Sequence, residues 1–261
     1  MSALSYSSPR FFYRHKTSVP DRAETGGSHT HNLCELIYFV RGDAEHIVED
    51  RKYRLAKGDL ILVRPQTYHD IVFSSDKEYE RYNILFDLAD LDPDLVSAVL
   101  DRFEVVSLAS EPMTAALFPK MQDYRARLSD AAFASAAGHL LFQLFFDLSL
   151  LSPDGERPYS TLHPTLSRAL AYIRDNLFTL QDVGEVAGAL HVTESYLFRL
   201  FRTELKTTPK KYVTDKRLVA AQSLVRLGRR PSEVCFSCGF GDYTAFWRAY
   251  KRAFGVSPSK E

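Results

Sequence analysis

The chain has 261 residues, 45% of them hydrophobic, with 33 Lys/Arg against 33 Asp/Glu and three cysteines. That is enough apolar material and length for two ordinary domains, and three cysteines exclude a disulfide framework and suit a reducing cytoplasm. The zero net charge hides an asymmetry: residues 160–261 hold 16 Lys/Arg against 9 Asp/Glu (+7), and residues 1–159 hold 17 against 24 (−7). A basic half joined to an acidic half is expected when only one domain meets polyphosphate.

In chain order, Met1 to Arg10 is Ser-rich without an apolar core and does not read as a signal peptide. From His29 to Phe86, short runs (Leu33–Val40, His46–Glu49, Leu60–Val63, Asp70–Phe73, Arg81–Phe86) alternate with turns at Arg41-Gly42-Asp43, Lys57-Gly58-Asp59 and Pro65-Gln66. Such spacing predicts an antiparallel barrel or sandwich. Asp92-Pro93-Asp94 starts a short helix. Pro112 or Pro119 to about Leu150 reads as a long one, with Ala137, Leu140, Leu141, Leu144, Phe145 and Leu148 at helical spacing. The run Leu140–Leu151 is too short to span a bilayer and contains Gln143 and Asp147. Its stripe is wide for packing on one small barrel, so part of it is expected to form a symmetric dimer interface. Ser152 to Pro158 is dense in breakers and reads as a linker. From His163 onward everything reads as helix.

The last eighty residues carry one pattern twice. Leu197-Phe198-Arg199-Leu200-Phe201-Arg202 precedes Thr208-Pro209, and Phe246-Trp247-Arg248-Ala249-Tyr250-Lys251 precedes Ser257-Pro258 at the same spacing. A fixed-period repeat means one structural unit used twice. In the first unit Leu180 to His191 is amphipathic, Val192-Thr193 turns, and Ser195 to Glu204 forms a second helix. In the second, Ser232 is expected to cap a helix, Gly239 to supply a positive φ, and Asp242 to Phe254 to form the second helix. Cys235 and Cys238, spaced C-x-x-C with no second pair, fall on the packed side and read as core. Thr208-Pro209 starts a connecting helix from Lys210 to Leu227 that Gly228 ends. These are two helix-turn-helices with cations on the outer faces of both second helices. A rigid connector would set them into successive major-groove segments, about 34 Å apart.

Over essentially its full length the chain resembles the AraC/XylS family of transcription regulators. The carrying residues are Gly239-Phe240-Gly241-Asp242-Tyr243, then Phe246-Trp247-Arg248-Ala249-Tyr250-Lys251-Arg252-Ala253-Phe254-Gly255-Val256-Ser257-Pro258. The resemblance implies base-facing positions at Ser195, Phe198 and Arg199 and at Tyr243, Thr244, Ala245 and Arg248. Tyr196, Arg202 and Lys251 share the outward faces.

A second motif lies in the acidic half: His29-x-His31-x-x-x-Glu35, then Gly42, then Gly58 and His69. The spacing resembles the paired motifs of cupins. Three imidazoles and a carboxylate suit Zn, Ni, Fe or Mn, and they equally suit hydrogen bonds to a sugar-like effector, with Arg64 adding a cation near the rim. Both occupants stand open from sequence; no cofactor is required by the second. His15, His46, His139, His163 and His191 fall outside the spacing and read as structural or surface.

The expected architecture is α+β. Residues 10–90 form a cupin-like antiparallel barrel that senses an effector, 91–152 a helical dimerisation and coupling segment, 153–160 a linker, and 161–261 an all-α DNA-binding domain of seven helices. The expected function is a sequence-specific transcription regulator, an activator, controlled by a small polar effector. Its partners would be double-stranded promoter DNA, the effector, RNA polymerase and a second copy, with no membrane. A metal-responsive regulator and a metal-dependent cupin enzyme tethered to DNA are the alternatives; the chain is read as not an enzyme.

Overall fold

A computed structural model describes residues 4–19, 28–152 and 157–261. The strands are β1 (Ser5–Ser7), β2 (Phe11–Ser18), β3 (Cys34–Arg41), β4 (Ala44–Val48), β5 (Arg51–Arg54), β6 (Asp59–Val63), β7 (His69–Phe73), β8 (Tyr79–Phe86), β9 (Val105–Ser107) and β10 (Ser160–Thr161). They form two antiparallel sheets, ordered β1-β2-β8-β3-β6-β9 and β10-β5-β4-β7. Period-two alternation explains their stacking. Ile37, Phe39, Ile61 and Val63 face the second sheet, where Ala44, Val48, Tyr53 and Ile71 meet them. Leu36, Leu62, Ile84 and Phe86 point the other way, onto helices. Among the described residues no ladder joins the two sheets, so the barrel is open at its seams.

Five strands lie outside the runs read from the sequence: β2 and β5 within residues 10–90, and three short ones where periodicity gives no sign of a strand. β1 precedes residue 10. β9 completes the β6 edge from within the helical segment, and β10 pairs with Arg51 and Lys52 from within the expected linker. Two or three residues are too few to carry a period, and an open sheet edge recruited each. Residues 153–156 of that linker lie outside the described residues.

Helices α1 (Pro93–Leu100), α2 (Pro112–Ala115), α3 (Leu117–Arg127) and α4 (Asp130–Ser149) cover the first sheet. The single long helix expected from Pro112 or Pro119 is broken, because Leu128 is extended and the Ser129 hydroxyl caps α4 by accepting from Ala132 N–H. The expected dimer stripe is corrected too. Leu140, Leu141, Leu144, Phe145 and Leu148 are all buried within one chain, packed with Leu36, Leu62, Ile84, Phe86 and Phe118. A six-stranded sheet presents a wider apolar face than a small barrel, and at about 1.5–3 kcal/mol per buried side chain it claims the whole stripe. The opposite face of α4 is the exposed one, with Phe142 and Phe146 each 49% exposed. By length and composition α4 alone among the described helices is long and apolar enough to cross a bilayer, but one side of it is sensor core.

The C-terminal unit holds α5 (Pro164–Asp175), α6 (Val183–Ala189), α7 (Glu194–Glu204), α8 (Pro209–Arg226), α9 (Pro231–Ser237) and α10 (Tyr243–Phe254). Six described helices stand where seven were expected. The stretch after α5 closes one turn back to the Asn176 carbonyl and stops, since Asp182 restarts the helix by accepting from Glu185 N–H. Ser232 is not a cap: Arg230 occupies that position and Pro231 fills the first turn. Thr193 and Thr208 cap as the sequence predicts, and Asp242, expected as the first residue of the last helix, is its cap instead. Both turns use a positive φ, +56° at His191 and +78° at Gly239. A Cβ on Gly239 would sit 2.6 Å from the Phe178 carbonyl oxygen, so only glycine fits there. Cys235 and Cys238 are buried against Val234, Phe246 and Tyr250 as core residues.

Candidate DNA-reading face and sensor cavity

Helix α7 buries Leu197, Leu200 and Phe201 and leaves Ser195, Phe198, Arg199 and Arg202 exposed, with Tyr196 half-buried beneath the Arg199 guanidinium, 5.2 Å from its ring centroid. Helix α10 buries Phe246 and Tyr250 and exposes Tyr243, Thr244, Ala245, Arg248 and Lys251. Every residue expected to read DNA thus lies on an outer face except Tyr196, which packs against the core of this unit. Among the described residues none of Arg199, Arg202, Arg248 and Lys251 is in an ion pair, although seventeen other basic side chains or histidines are tied to acids elsewhere. Cations left unneutralised on two matched helices are what phosphate and guanine contacts require.

In the sensor, the backbones of His29 and His69 exchange two hydrogen bonds, of 3.0 and 2.9 Å, which brings their rings together, centroids 4.3 Å apart and planes tilted by 56°. One ligand atom from each of His29, His31, Glu35 and His69 lies within 4.8 Å of the others. The tautomers are set from behind. His31 Nδ1 is 2.9 Å from the Leu33 carbonyl and His69 Nδ1 is 3.0 Å from the Thr67 carbonyl. Carbonyls only accept, so both Nδ1 atoms donate and the neutral rings turn their Nε2 lone pairs inward. Those lone pairs meet Glu35 Oε2 at 3.0 Å from His31 and 2.7 Å from His69; the His69 contact is close without being an aligned hydrogen bond. Lone pairs facing a carboxylate demand positive charge between them. The ionisation tendencies say the same. Burial alone would raise the Glu35 carboxyl, but the contacts from His31 and His69 outweigh it and hold it well below the usual range. Burial would lower His69, and Glu35 raises it instead. A proton can supply that charge, and so can a divalent cation; Nδ1–H bonded to a carbonyl behind each inward Nε2 is the usual outer shell of a metal-bound histidine. The residues fit a metal.

Glu35, His29 and His69 also wall a cavity of about 190 Å³ between the two sheets. Six further polar residues line it that the motif spacing did not include: Lys16, His46, Asp70, Tyr79, Arg81 and Asn83. His46, read as structural or surface from sequence, is 1% exposed and inside. The signal was present in period two, since Ala44, His46 and Val48 share a face, as do Tyr79, Arg81 and Asn83. Arg64 is the reverse case. It is half-exposed, 3.7 Å from Asp101, and lines a separate cleft with Arg51, Arg102 and Arg174. It does not join the cluster, because β6 ends at Val63 and the chain turns outward.

A family model described as an AraC-like ligand-binding domain matches residues 20–144, and a helix-turn-helix domain model matches residues 186–261. The chain belongs to the AraC family. Among curated AraC-type proteins it is 26% identical over 246 residues to the HTH-type transcriptional activator RhaR of Klebsiella pneumoniae subsp. pneumoniae, covering 89% of this chain and 85% of that one. It is 24% identical to the probable transcriptional regulator LumQ of Photobacterium leiognathi, covering 89% and 90%. Among solved structures, ToxT of Vibrio cholerae aligns over 97% of both chains at 13% identity with a TM-score of 0.38, too low for residue correspondence.

In this AraC-family chain the connecting helix α8 is docked on the loops that carry the histidines. Asn32, next to His31, donates to the Val219 carbonyl and the Gln222 side chain and accepts from Ser223. Ser28 donates to the Leu205 carbonyl. Glu49 is the hub: it accepts from Tyr68 N–H at 2.9 Å, Tyr212 hydroxyl at 2.7 Å and Lys216 Nζ at 2.6 Å. Lys216 also donates to the Gln66 carbonyl. Glu49 and Gln66, the two sensor residues that hold Lys216, are both non-glycines at positive φ, +50° and +63°. Strain of that kind persists where surrounding contacts fix it. Local sequence patterns could not reveal this dock, because each partner is more than 140 positions away.

Proposed function

We propose that the chain is a sequence-specific transcription activator of the cytoplasm whose two reading helices bind promoter DNA under the control of a small polar effector in the sensor cavity. One observation carries the reading. Helix α8, which spaces the two helix-turn-helices, rests on the loops that hold His29, His31 and His69, so a change at the cluster is felt directly by the DNA-binding unit. His29, His31, Glu35 and His69 would hold a divalent cation of the Zn, Ni, Fe or Mn type, which would supply the charge that the inward lone pairs need and a position for an effector oxygen. The relatives named above are regulators, which supports this reading over that of an enzyme.

As a dimer, the chain would use the outer face of α4, where Phe142, Phe146 and Leu150 are exposed, and would present its basic units to one promoter and to RNA polymerase. Phe146→Glu would then sediment as a monomer; a wild-type chain that is already monomeric at roughly tens of micromolar rejects the dimer. Selection of bound sequences from random duplex DNA tests the sequence-specific DNA-binding reading itself. The expected product is a site with two conserved blocks about one helical turn apart, about 10–10.5 base pairs centre to centre. Recovery of no enriched sequence would overturn it.

A further inference from the structure

We infer that the sensor cavity takes a small polyhydroxy acid, its carboxylate on Arg81 and its hydroxyls on His46 and Asn83, beside the corner formed by the three histidines and Glu35. The inference rests on the reading of this cavity as the effector site and names the class of effector.

Three polar groups at the cavity wall lack protein partners. Both ring nitrogens of His46, the Nε of Arg81 and the Oδ1 of Asn83 are buried without a hydrogen bond. Buried polar groups are paired in native proteins, so a group left unpaired in an enclosed cavity calls for a ligand or water. Their chemistry specifies what would satisfy them. His46 is fully buried and has no acid partner among the described residues, so its ring is held neutral and offers one donor and one acceptor. A hydroxyl, itself donor and acceptor, matches that pair. Asn83 Oδ1 accepts from a second hydroxyl.

Arg81 sets the charge. Among the described residues it has no carboxylate partner; its guanidinium lies over the Tyr79 ring at 5.6 Å, and Nη1 reaches only the Tyr79 hydroxyl at 3.5 Å. The acids of the cavity wall are already committed. Glu35 is held by His31 and His69, and Asp70 accepts from Ile71 N–H and lies 3.1 Å from the Ser28 hydroxyl. An unneutralised guanidinium in a low-dielectric cavity selects an anion, and its planar donors suit a carboxylate. A volume of about 190 Å³ is below what drug-sized ligands occupy, and limits the acid to roughly four to six carbons.

The test compares acids with neutral compounds of the same skeleton on the full-length protein: D-gluconate with D-glucitol, D-galacturonate with D-galactose, and L-threonate with L-threitol. At saturation, one acid or more is expected to raise the melting temperature by about 5 °C while its neutral counterpart does not. Arg81→Gln should lose that rise while melting like the unliganded wild type, and Arg81→Lys should keep part of it. An acid-induced rise that survives in Arg81→Gln overturns the proposal. If instead only neutral members stabilise the protein, and His46→Leu abolishes the effect, the acid class falls and the effector cavity stands. Silence from every compound overturns both.

Discussion

Arg199→Ala and Arg248→Ala should each weaken binding to the cognate operator by about 10- to 100-fold, roughly 1–3 kcal/mol, and leave binding to unrelated DNA nearly unchanged. The two arginines occupy equivalent exposed faces of α7 and α10, and neither is in an ion pair among the described residues. Among the described residues Arg248 is exposed and in no ion pair, and Arg199 lies over the half-buried Tyr196 ring. The double substitution should therefore be folded and close to additive, since the heads read separate base pairs. Fluorescence anisotropy on cognate and scrambled duplexes measures both numbers. Equal losses on the two duplexes would make these residues phosphate contacts, and no loss on either would mean that another face reads the DNA.

Arg217→Ala should abolish two-block binding while each helix-turn-helix keeps its own helices. The Arg217 guanidinium, on α8, donates to the carbonyls of Leu177, Leu180 and Gly239. It therefore clamps the lead-in to the first helix-turn-helix and the turn of the second onto one helix. Removing it strands three part-buried carbonyls, at about 3 kcal/mol of stability, and lowers the melting temperature by roughly 10 °C. Lysine offers a point charge in place of a planar fork and cannot reach all three, so Arg217→Lys should rescue stability in part and spacing poorly. Affinity measured against operators whose two blocks are moved apart by single base pairs separates the effects. Wild type should fall steeply off the native spacing, and the variant should be nearly indifferent to it. A variant that keeps the wild-type spacing profile would show that the packing of α8 alone holds the heads.

The helical half was legible in the sequence because its determinants are local. Thr193, Thr208 and Asp242 cap the helices they precede, and Gly239 and His191 mark turns that need positive φ. The histidine cluster was legible from spacing, since His29, His31, Glu35 and His69 do converge. Three features were not, and each depends on which faces meet in space. The α4 stripe looks the same whether it meets a sheet or a second chain, and the width of the sheet decided it. Arg64 follows a strand that ends one residue earlier, so its direction is set by a turn. The dock of α8 on Glu49, Asn32 and Gln66 pairs residues with no shared periodicity. His46, Arg81 and Asn83 lie between these cases, because strand alternation does place them on the inner face.

The central claim is that the state of the sensor cluster sets DNA affinity through α8. Its most direct measurement is the affinity of the metal-stripped full-length protein for its selected operator, before and after one equivalent of Zn²⁺ or Ni²⁺. The account predicts a change of about 5- to 150-fold, the usual range of coupling between two sites. The change should be lost in His69→Ala, which removes a ligand, and strongly reduced in Glu49→Gln, which keeps the ligands but weakens the hold on Lys216 and Tyr212. Tight metal binding by the wild type with identical operator affinity in both states would contradict it.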